Sequence, residues 1–216
     1  MHNVADIFTG KEWTLIAASY LLGCCTVGYY WVRWRTGQDI RQLGSGSVGA
    51  RNVGRVLGTG GFLVTLLADV AKGALAVGAA VFFGLRPEAV VTASVAVVLG
   101  HNWPVQLRFH GGKGVATSIG ALLAYDPFIG MILVAVFLPG FAVLRSLTLG
   151  GLLAFTLSPL LVFFFGLGNE AVAAVSFLAI LILISHRRNI REEFARVLHG
   201  RPVREPPSQP RKGTVS

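Results

Sequence analysis

Three short segments of the 216-residue chain combine glycine with arginine, lysine, serine, asparagine or histidine. We name them the first motif (residues 44–55), the second motif (residues 100–117) and the third motif (residues 185–190). Glycine lets backbone N–H groups come close to an anion, and Arg and Lys add positive charge and directed hydrogen-bond donors. Because Asp and Glu are absent from all three segments, their composition predicts a site for phosphate or carboxylate and argues against a metal held by carboxylates.

The rest of the chain has the composition of apolar helices that hold these motifs at a membrane. Hydrophobic residues make up 53% of the chain and charged residues 13%, about half of the one quarter that is usual in soluble domains. The net charge of +9 comes from short basic stretches between long uncharged runs, which favours a membrane protein over a nucleic-acid-binding protein. Cys24 and Cys25 are interpreted as small apolar helix residues, so neither a disulfide framework nor a cysteine metal site is expected.

Apolar runs close to the roughly 20 residues that a bilayer-spanning helix needs occur five times. No basic cluster or small-residue cleavage site precedes the first run, so we expect a retained helix and not a removable signal peptide. A further stretch, residues 114–144, is too long for one ordinary crossing, and we interpret it as two short helices that turn at Asp126 and Pro127. The five runs are residues 13–32, 56–83, 89–107, 147–166 and 170–185.

The distribution of positive charge predicts the topology. With seven crossings and the N-terminus outside, 16 of the 19 Lys and Arg residues fall on the cytoplasmic side, as short cytoplasmic loops require. Six crossings would place Arg145 and the basic tail opposite the first basic loops. We therefore predict an all-α, polytopic integral membrane protein with seven transmembrane helices, an outside N-terminus and a cytoplasmic C-terminus. Residues 1–189 form one membrane domain, and residues 190–216 form a basic, proline-containing cytoplasmic tail.

Three finer predictions concern the helices themselves. Asp69 and Lys72 are one turn apart in an apolar run, so we expect them to pair with each other or with neighbouring loops and to face the interior of the bundle. The helix that ends before Asp126 spans only about 18 Å, which predicts a short and partly re-entrant crossing. The segment from His186 onward is expected to begin as a short interfacial helix and to end without regular structure.

Two nucleotide-binding patterns occur in the motifs and are set aside. The glycines from Gly44 to Gly49 fit the dinucleotide fingerprint and even have Asp69 twenty residues on. That fingerprint needs a strand before and after it, whereas apolar helices flank the motif here. Gly111 to Gly114 resembles the end of a P-loop, but Gly114 stands where a hydroxyl residue would hold magnesium. Neither a Rossmann domain nor an NTPase is therefore expected.

Taken in order, the three motifs resemble those of the acyl-phosphate-dependent glycerol-3-phosphate acyltransferases, the PlsY family of integral membrane enzymes. The resemblance covers most of the chain, and the seven-helix fold with a cytoplasmic C-terminus that it implies agrees with the topology predicted from charge. The family patterns are GSGNxGATNxxR, GHxxPxxxxFKGGKGVAT and His-x-x-Asn. The matching positions are Gly44, Ser45, Gly46, Gly49, Ala50, Asn52, Val53 and Arg55, then Gly100, His101, Pro104, Phe109 and Gly111 through Thr117, then His186 and Asn189.

This resemblance implies a set of site residues. Arg55 and Lys113 would neutralise the phosphates of two substrates, glycerol 3-phosphate and a long-chain acyl phosphate, and Ser45 would be a ligand and not a nucleophile. His186 and Asn189, at i and i+3 on one helix face, can reach the same ligand. The implied catalytic set is Ser45, Arg55, Lys113, His186 and Asn189, the implied phosphate-binding set is Gly46, Gly49, Asn52, Arg55, Gly111, Gly112 and Lys113, and His101 is a candidate for orienting the second motif.

The implied activity is transfer of a fatty acyl group to the 1-hydroxyl of glycerol 3-phosphate, which gives lysophosphatidic acid in the first step of phospholipid synthesis. The His-x-x-x-x-Asp pattern of a general base is missing, and no His has an evident acidic partner. Acyl phosphate is already activated and its phosphate accepts a proton, so positioning and charge stabilisation suffice. The resemblance places the enzyme in the bacterial inner membrane, with its site facing the cytoplasm and membrane lipid around it. It needs no metal or organic cofactor and binds no nucleic acid, and the enzyme that supplies acyl phosphate is a candidate partner.

The chain departs from the family patterns at four positions. Ser47 stands for Asn, Arg51 for Thr, His110 for the first Lys of Lys-Gly-Gly-Lys, and Ser185 for a basic residue. These departures make the chain a divergent member, and they leave open a paralogue with altered kinetics or substrate, or a catalytically inactive paralogue that binds lipid or phosphate. The other alternative is an organic-anion transporter, although the chain shows no internal repeat of the kind that transporters usually have.

Overall fold

The computed structural model describes residues 8–199 of the chain, and the side chains of residues 8–191. Within that part the chain forms α-helices and no strand, and two one-turn 3₁₀ helices stand at Ile40–Gln42 and Val105–Leu107. The α-helices are α1 (Gly10–Cys24), α2 (Val27–Thr36), α3 (Ala50–Phe82), α4 (Pro87–Asn102), α5 (Val115–Tyr125), α6 (Pro127–Leu144), α7 (Leu147–Phe164) and α8 (Asn169–His199).

Six stretches of the described chain are long and apolar enough to cross a membrane, judged by length and composition. α1 and α2 together make one of them, and α3, α4 with its 3₁₀ turn, α6, α7 and the apolar part of α8 make the other five. This architecture agrees with the predicted all-α, polytopic membrane protein. The predicted number of seven crossings depends on α5, which at 11 residues is shorter than each of these six stretches.

α5 is short because the chain turns where the sequence predicts it. The side chain of Asp126 accepts a hydrogen bond from the backbone N–H of Phe128 at 2.8 Å, and Pro127 occupies the first turn of α6. This N-cap and the fixed φ of proline start a new helix and end the previous one. The predicted break at Asp126 and Pro127 is therefore confirmed. With 11 residues, α5 measures about 16 Å, roughly half of a bilayer core.

The first predicted run, residues 13–32, is not one continuous helix. α1 ends at Cys24 and α2 begins at Val27, so Cys25 and Thr26 lie outside both helices. The interpretation of both cysteines as ordinary helix residues is therefore wrong for Cys25. Neither Pro nor Gly stands between the two helices, so the break has no strong sequence signal, although residues 23–28 are weak helix formers.

Long-range hydrogen bonds occupy the carbonyl groups that this break frees. The amide of Gln106 donates to the carbonyl oxygen of Cys24, and the Lys72 ammonium donates to that of Cys25 at 3.2 Å. The hydroxyl of Tyr20 donates to the Trp103 carbonyl at 3.0 Å. A helix end without such partners would leave polar groups unsatisfied in an apolar surrounding. The break thus joins the first crossing to the second motif and to α3.

Glycines let the helices that carry the motifs cross with their backbones in contact. A Cβ atom at Gly23 of α1 would lie 2.2 Å from the Val97 carbonyl oxygen of α4, and one at Gly100 would lie 2.1 Å from the Tyr20 carbonyl oxygen. α3 meets α5 in the same way at Gly73. Small residues at such crossings are the usual means of packing helices closely in membranes. The second motif is therefore anchored at both ends by helices in backbone contact with α1 and α3.

The chain separates into two units, Met1–Ser185 and His186–Ser216, each defined by the contacts within it. In the first unit, α3 packs mainly against α5, α1 against α4, and α6 against α7. In the second unit, α8 remains helical through His199. The expected interfacial helix after His186 is thus the continuation of α8, and the part of the predicted tail from residue 200 lies outside the described residues.

Candidate active site

The first motif is shaped by the buried side chain of Asn52, which is 1% exposed. Its Nδ2 donates to the carbonyl oxygens of Leu43 and Ser47, both at 2.9 Å, and lies 3.4 Å from that of Ile40. Its Oδ1 accepts a hydrogen bond from the backbone N–H of Ser45 at 2.9 Å. One amide therefore closes the loop that precedes α3 and determines where Ser45 lies.

This geometry argues against the prediction that Asn52 binds substrate phosphate. Both its donor and its acceptor groups are engaged by the loop backbone, and the side chain is shielded from solvent. An amide nitrogen carries only two hydrogens, and a buried amide that gave up these bonds would leave backbone carbonyls unsatisfied. Asn52 is better described as the residue that positions the first motif.

The second motif folds back onto the C-terminal end of α4. The backbone N–H of Gly111 donates to the Asn102 carbonyl at 3.1 Å, and that of Gly112 donates to the His101 carbonyl at 2.9 Å. The last carbonyls of a helix have no partner inside it, so the loop satisfies them. A Cβ atom at Gly111 would lie 2.2 Å from the His101 carbonyl oxygen, so glycine is required for this approach.

The glycine N–H groups thus have a different use from the one the sequence suggests. Gly46 donates to the Leu43 carbonyl at 3.0 Å and Gly49 to the Ser47 hydroxyl at 3.3 Å, and the N–H groups of Gly111 and Gly112 are bonded to α4. The expectation that these four N–H groups are donors for substrate phosphate is not supported by their geometry. The glycines make the tight backbone packing possible instead.

The starts of two helices are the remaining candidates for backbone donors to an anion. α3 begins directly after Gly49 and α5 directly after Gly114, and neither N-terminus has a side-chain cap. The first-turn N–H groups of a helix have no intrahelical partner and carry a partial positive charge, so they favour anions. The two motif glycines therefore place uncapped helix ends where the sequence predicts phosphate.

The first and second motifs lie side by side. The backbone N–H of Val48 donates to the Gly111 carbonyl at 3.4 Å, and Arg41 Nη1 donates to the Leu107 carbonyl at 2.9 Å. Arg41 also pairs with Asp39 at 2.6 Å, and this hydrogen-bonded guanidinium holds the pKa of Asp39 below its usual range. A buried apolar cluster lies among these elements and consists of Val32, Ile40, Val48, Val53 and Leu107.

Three predicted site residues stand on this joined pair of motifs. Ser45 and Lys113 are half-buried, and Arg55 is exposed on the first turns of α3. Ser45 is held through its N–H by Asn52, and Lys113 directly precedes the glycine at the start of α5. A hydroxyl, a guanidinium and an ammonium therefore share the end of the unit at which α3 and α5 begin.

Ser185, the last residue of the first unit and one of the departures from the family pattern, contacts the second motif. Asn102 Nδ2 donates to the hydroxyl oxygen of Ser185 at 2.8 Å. His186 and Asn189 follow in the second unit, at i and i+3 on α8, where His186 is buried and Asn189 half-buried. Their participation in a site with Ser45 and Lys113 stays a prediction of the sequence.

A buried charged group lies beneath the second motif. Lys72 Nζ lies 2.9 Å from Asp69 Oδ1, and both side chains are about 5% exposed. The predicted pairing in the bundle interior is therefore confirmed. The same Lys72 Nζ lies 2.8 Å from His101 Nδ1, and Asp69 Oδ1 lies 3.5 Å from that nitrogen. The expectation that no histidine has an acidic neighbour is thus wrong for His101, because helix packing brings α3 against α4.

Two other departures have visible contacts. Arg51, on the first turn of α3, donates to the Thr148 hydroxyl on α7. His110 is exposed, and its Nδ1 lies 2.6 Å from the Arg108 carbonyl oxygen. Among the residues that the structure describes, no group of three or more His, Cys, Asp or Glu side chains stands where it could hold a metal ion.

Comparison with known proteins places this architecture in a family. A sequence model described as "Glycerol-3-phosphate acyltransferase" matches residues 13–196. Glycerol-3-phosphate acyltransferase 1 of Desulfitobacterium hafniense (strain Y51) is 45% identical over 179 residues, which cover 82% of this chain and 88% of that protein. Glycerol-3-phosphate acyltransferase of Synechococcus sp. (strain CC9902) is 42% identical over 182 residues, covering 84% and 90%.

Solved structures agree. The fold resembles the crystal structure of PlsY (YgiH), an integral membrane glycerol 3-phosphate acyltransferase, in its glycerol 3-phosphate form, with a TM-score of 0.81 and 34% identity over 91% of this chain and 96% of that one. The lysphosphatidic acid form gives a TM-score of 0.78 and 32% identity, covering 90% and 95%. The chain therefore belongs to the glycerol-3-phosphate acyltransferase family and is a membrane-embedded acyltransferase.

Proposed function

We propose that the chain transfers a fatty acyl group from acyl phosphate to the 1-hydroxyl of glycerol 3-phosphate and so forms lysophosphatidic acid. The family membership supports the acceptor and the reaction type. One observation supports acyl phosphate as the acyl donor. The joined first and second motifs contain two helix starts without a side-chain cap, and Arg55 and Lys113 belong to the same motifs. Such an arrangement suits two phosphate-bearing substrates.

The reaction needs no covalent enzyme intermediate. The 1-hydroxyl oxygen of glycerol 3-phosphate attacks the acyl carbonyl carbon, the bond from that carbon to the phosphate oxygen breaks, and inorganic phosphate leaves. The departing phosphate takes up the hydroxyl proton, so the atoms and charges balance without a side-chain base. Bringing two anions together and stabilising the developing charge are then the main tasks of the protein.

The proposed roles follow from what each group offers. Arg55 and Lys113 offset the negative charge of the two phosphates, and the helix starts of α3 and α5 add N–H donors. Ser45 donates a hydrogen bond to a substrate oxygen from the position that Asn52 imposes. His186 and Asn189 on α8 are proposed as further hydrogen-bonding ligands of the substrates. The apolar helices hold the acyl chain, and the product leaves sideways into the membrane.

The proposed setting is the bacterial inner membrane, with the motifs facing the cytoplasm. Seven crossings with the N-terminus outside place most of the Lys and Arg residues on the cytoplasmic side. α5 then serves as the short crossing, in a membrane domain of residues 1–189 that is followed by the basic tail of residues 190–216. The enzyme that supplies acyl phosphate would act on the same membrane face.

The decisive assay uses purified protein in detergent with glycerol 3-phosphate and either palmitoyl phosphate or palmitoyl-CoA. We expect lysophosphatidic acid and inorganic phosphate in equal amounts with the acyl phosphate, unchanged by EDTA. Turnover with palmitoyl-CoA alone would contradict acyl phosphate as the donor, and EDTA inhibition that magnesium reverses would contradict a reaction without a metal ion. Formation of no product with either donor would favour the inactive paralogue.

Arg55→Ala and Lys113→Ala test the roles of the cations. Each removes a charge-assisted hydrogen bond worth roughly 1.5 to 3 kcal/mol, about one to two decades in kcat/KM. Arg35→Ala is a matched control, because Arg35 is an exposed cation at the end of α2 and outside the motifs. The proposal fails for these residues if both variants insert normally and keep the kinetics of Arg35→Ala.

Topology is tested separately by labelling single cysteines in a Cys24→Ala, Cys25→Ala background. An impermeant maleimide applied to intact cells should label a cysteine at position 126 and should not label one at position 209. Labelling at both positions would contradict the seven-crossing arrangement, because the turn between α5 and α6 and the tail would then share the outer face.

A further inference from the structure

The ammonium of Lys72 has three hydrogens and three acceptors. Its Nζ lies 2.9 Å from Asp69 Oδ1, 2.8 Å from His101 Nδ1 and 3.2 Å from the Cys25 carbonyl oxygen. The three acceptors come from α3 itself, from α4 and from the break after α1, and the Lys72 side chain is 5% exposed. The number of acceptors thus equals the number of N–H donors of the ammonium, and Asp69 balances its charge.

This arrangement determines which nitrogen of His101 carries the proton. An ammonium only donates hydrogen bonds, so His101 Nδ1 must accept through its lone pair. A neutral imidazole with an unprotonated Nδ1 carries its hydrogen on Nε2. The fixed Lys72 contact therefore sets the tautomer of the ring as well as its orientation, and the Nε2–H edge points away from Lys72.

That Nε2–H edge lies against Gly112, farther along the same motif. A Cβ atom at Gly112 would lie 1.9 Å from His101 Nε2, so the ring touches the backbone at this position. The Gly112 N–H also donates to the His101 carbonyl at 2.9 Å. Main chain and side chain of one histidine thus hold Gly112, and Lys113 is the next residue.

We propose that His101 is a positioning residue for the second motif, with Lys72 and Asp69 holding its ring so that the Nε2–H edge supports Gly112 and places Lys113. The proposal extends the proposed function, because it assumes that Lys113 binds a substrate phosphate. His101 itself does not act as a general base, since Nδ1 is engaged by Lys72 and Nε2 already carries a proton.

Two substitutions of His101 separate its two edges. In His101→Asn the amide takes the place of Nδ1 and still accepts from Lys72, but it does not reach Gly112. In His101→Gln the amide nitrogen reaches the place of Nε2, but the acceptor for Lys72 is lost. Ser94→Ala is the control, because Ser94 is buried on the same helix and bonds only within it.

The two substitutions are expected to differ in whether they mainly lower the thermal midpoint or mainly lower kcat/KM. His101→Asn should keep a thermal midpoint close to wild type while kcat/KM falls by about tenfold or more, because the loop loses its support. His101→Gln should have a lower thermal midpoint than wild type and His101→Asn, while its kcat/KM falls by less than that of His101→Asn. A rise in the KM of either substrate, measured with the other saturating, supports the proposal, since a residue that only maintains the fold would change the amount of active enzyme and leave both KM values.

NMR of histidine-labelled wild-type protein gives a test that does not depend on activity. The His101 signal, assigned by its loss in His101→Asn, should be that of a neutral ring with an unprotonated Nδ1. A protonated Nδ1, or wild-type KM values in His101→Asn, would overturn the proposal. Lys113→Ala is assayed in parallel: if it too behaves as wild type, the proposed function fails at the second motif, whereas an impaired Lys113→Ala beside a normal His101→Asn refutes only the role of His101.

Discussion

Gly112→Ala is the most direct perturbation of the second motif. The added Cβ would lie 1.9 Å from His101 Nε2 and 2.5 Å from Cε1. Ordinary van der Waals contact begins at 3.4 Å, so the ring and the loop must separate by about 1.5 Å. The change adds a single methyl group and removes no charge, so its effect reports on position alone.

The loop moves, because the histidine has little freedom to do so. The His101 side chain is 3% exposed and its Nδ1 is bonded to Lys72. Its helix is also in backbone contact with α1 at Gly100, where a Cβ would lie 2.1 Å from the Tyr20 carbonyl oxygen. A shift of the loop lengthens the 2.9 Å bond from the Gly112 N–H and displaces Lys113.

We expect Gly112→Ala to lower kcat/KM by about two orders of magnitude, the loss that a misplacement of about 1 Å produces in a positioned site. The assay is release of phosphate from palmitoyl phosphate in the presence of glycerol 3-phosphate. Gly78→Ala is the matched control, because nothing lies within 4 Å of a Cβ at Gly78 on α3. If Gly112→Ala and Gly78→Ala had equal kcat/KM, the close fit between His101 and the loop would have no part in catalysis.

Three further predictions concern the surroundings of the site. Asn52→Leu leaves buried backbone groups unpaired, at roughly 1 to 3 kcal/mol each, so it should lower the thermal midpoint and abolish turnover, and an active, stable variant would contradict its positioning role. Gly58 interrupts α3 with φ 75° and ψ −166°, so Gly58→Ala should lower the free energy of unfolding by about 1 to 3 kcal/mol. Gly60→Ala, where a Cβ would lie in open space, should not lower it, and equal losses in the two variants would contradict the strain at Gly58. Arg86→Ala removes the partner of the buried Glu12, at 2.9 Å, so it should lower the thermal midpoint without changing the KM of either substrate, and a changed KM would refute that separation.

The features that sequence predicts correctly are those with a local cause. The turn at Asp126 needs only an aspartate that caps the next helix and a proline that starts it. The pairing of Asp69 with Lys72 needs only their spacing of three residues on one helix. In both cases the residues that make the structure are neighbours in the chain, so composition and spacing are sufficient.

The break between α1 and α2 has no capping side chain or proline of this kind. The run through Cys24 and Cys25 is apolar and contains no proline, and its freed carbonyls are bonded by Gln106 and Lys72, which lie far away in the chain. The same holds for His101, whose carboxylate neighbour comes from another helix. Contacts between distant segments decide these features, and a single sequence does not show which segments meet.

The glycines of the motifs are another feature that the sequence predicts only in part. Their abundance correctly predicts close backbone approach, but it does not tell whether the approaching group is a ligand or another part of the protein. In Gly111 and Gly112 the partner is the end of α4, and the donors left for an anion belong to the helix starts that follow the glycines. The prediction of an anion site keeps its support, while the donors assigned to it change.

The buried and exposed charges also separate by function. Asp69 and Lys72 balance each other within the bundle, so they hold His101 without adding net charge under the site. Arg55 and Lys113 belong to motifs that contain no Asp or Glu, so the composition of these motifs is net positive, which favours anionic substrates. A variant that unbalances the interior, such as Asp69→Asn, should therefore act on the fold and on His101, whereas loss of Arg55 should act on phosphate binding.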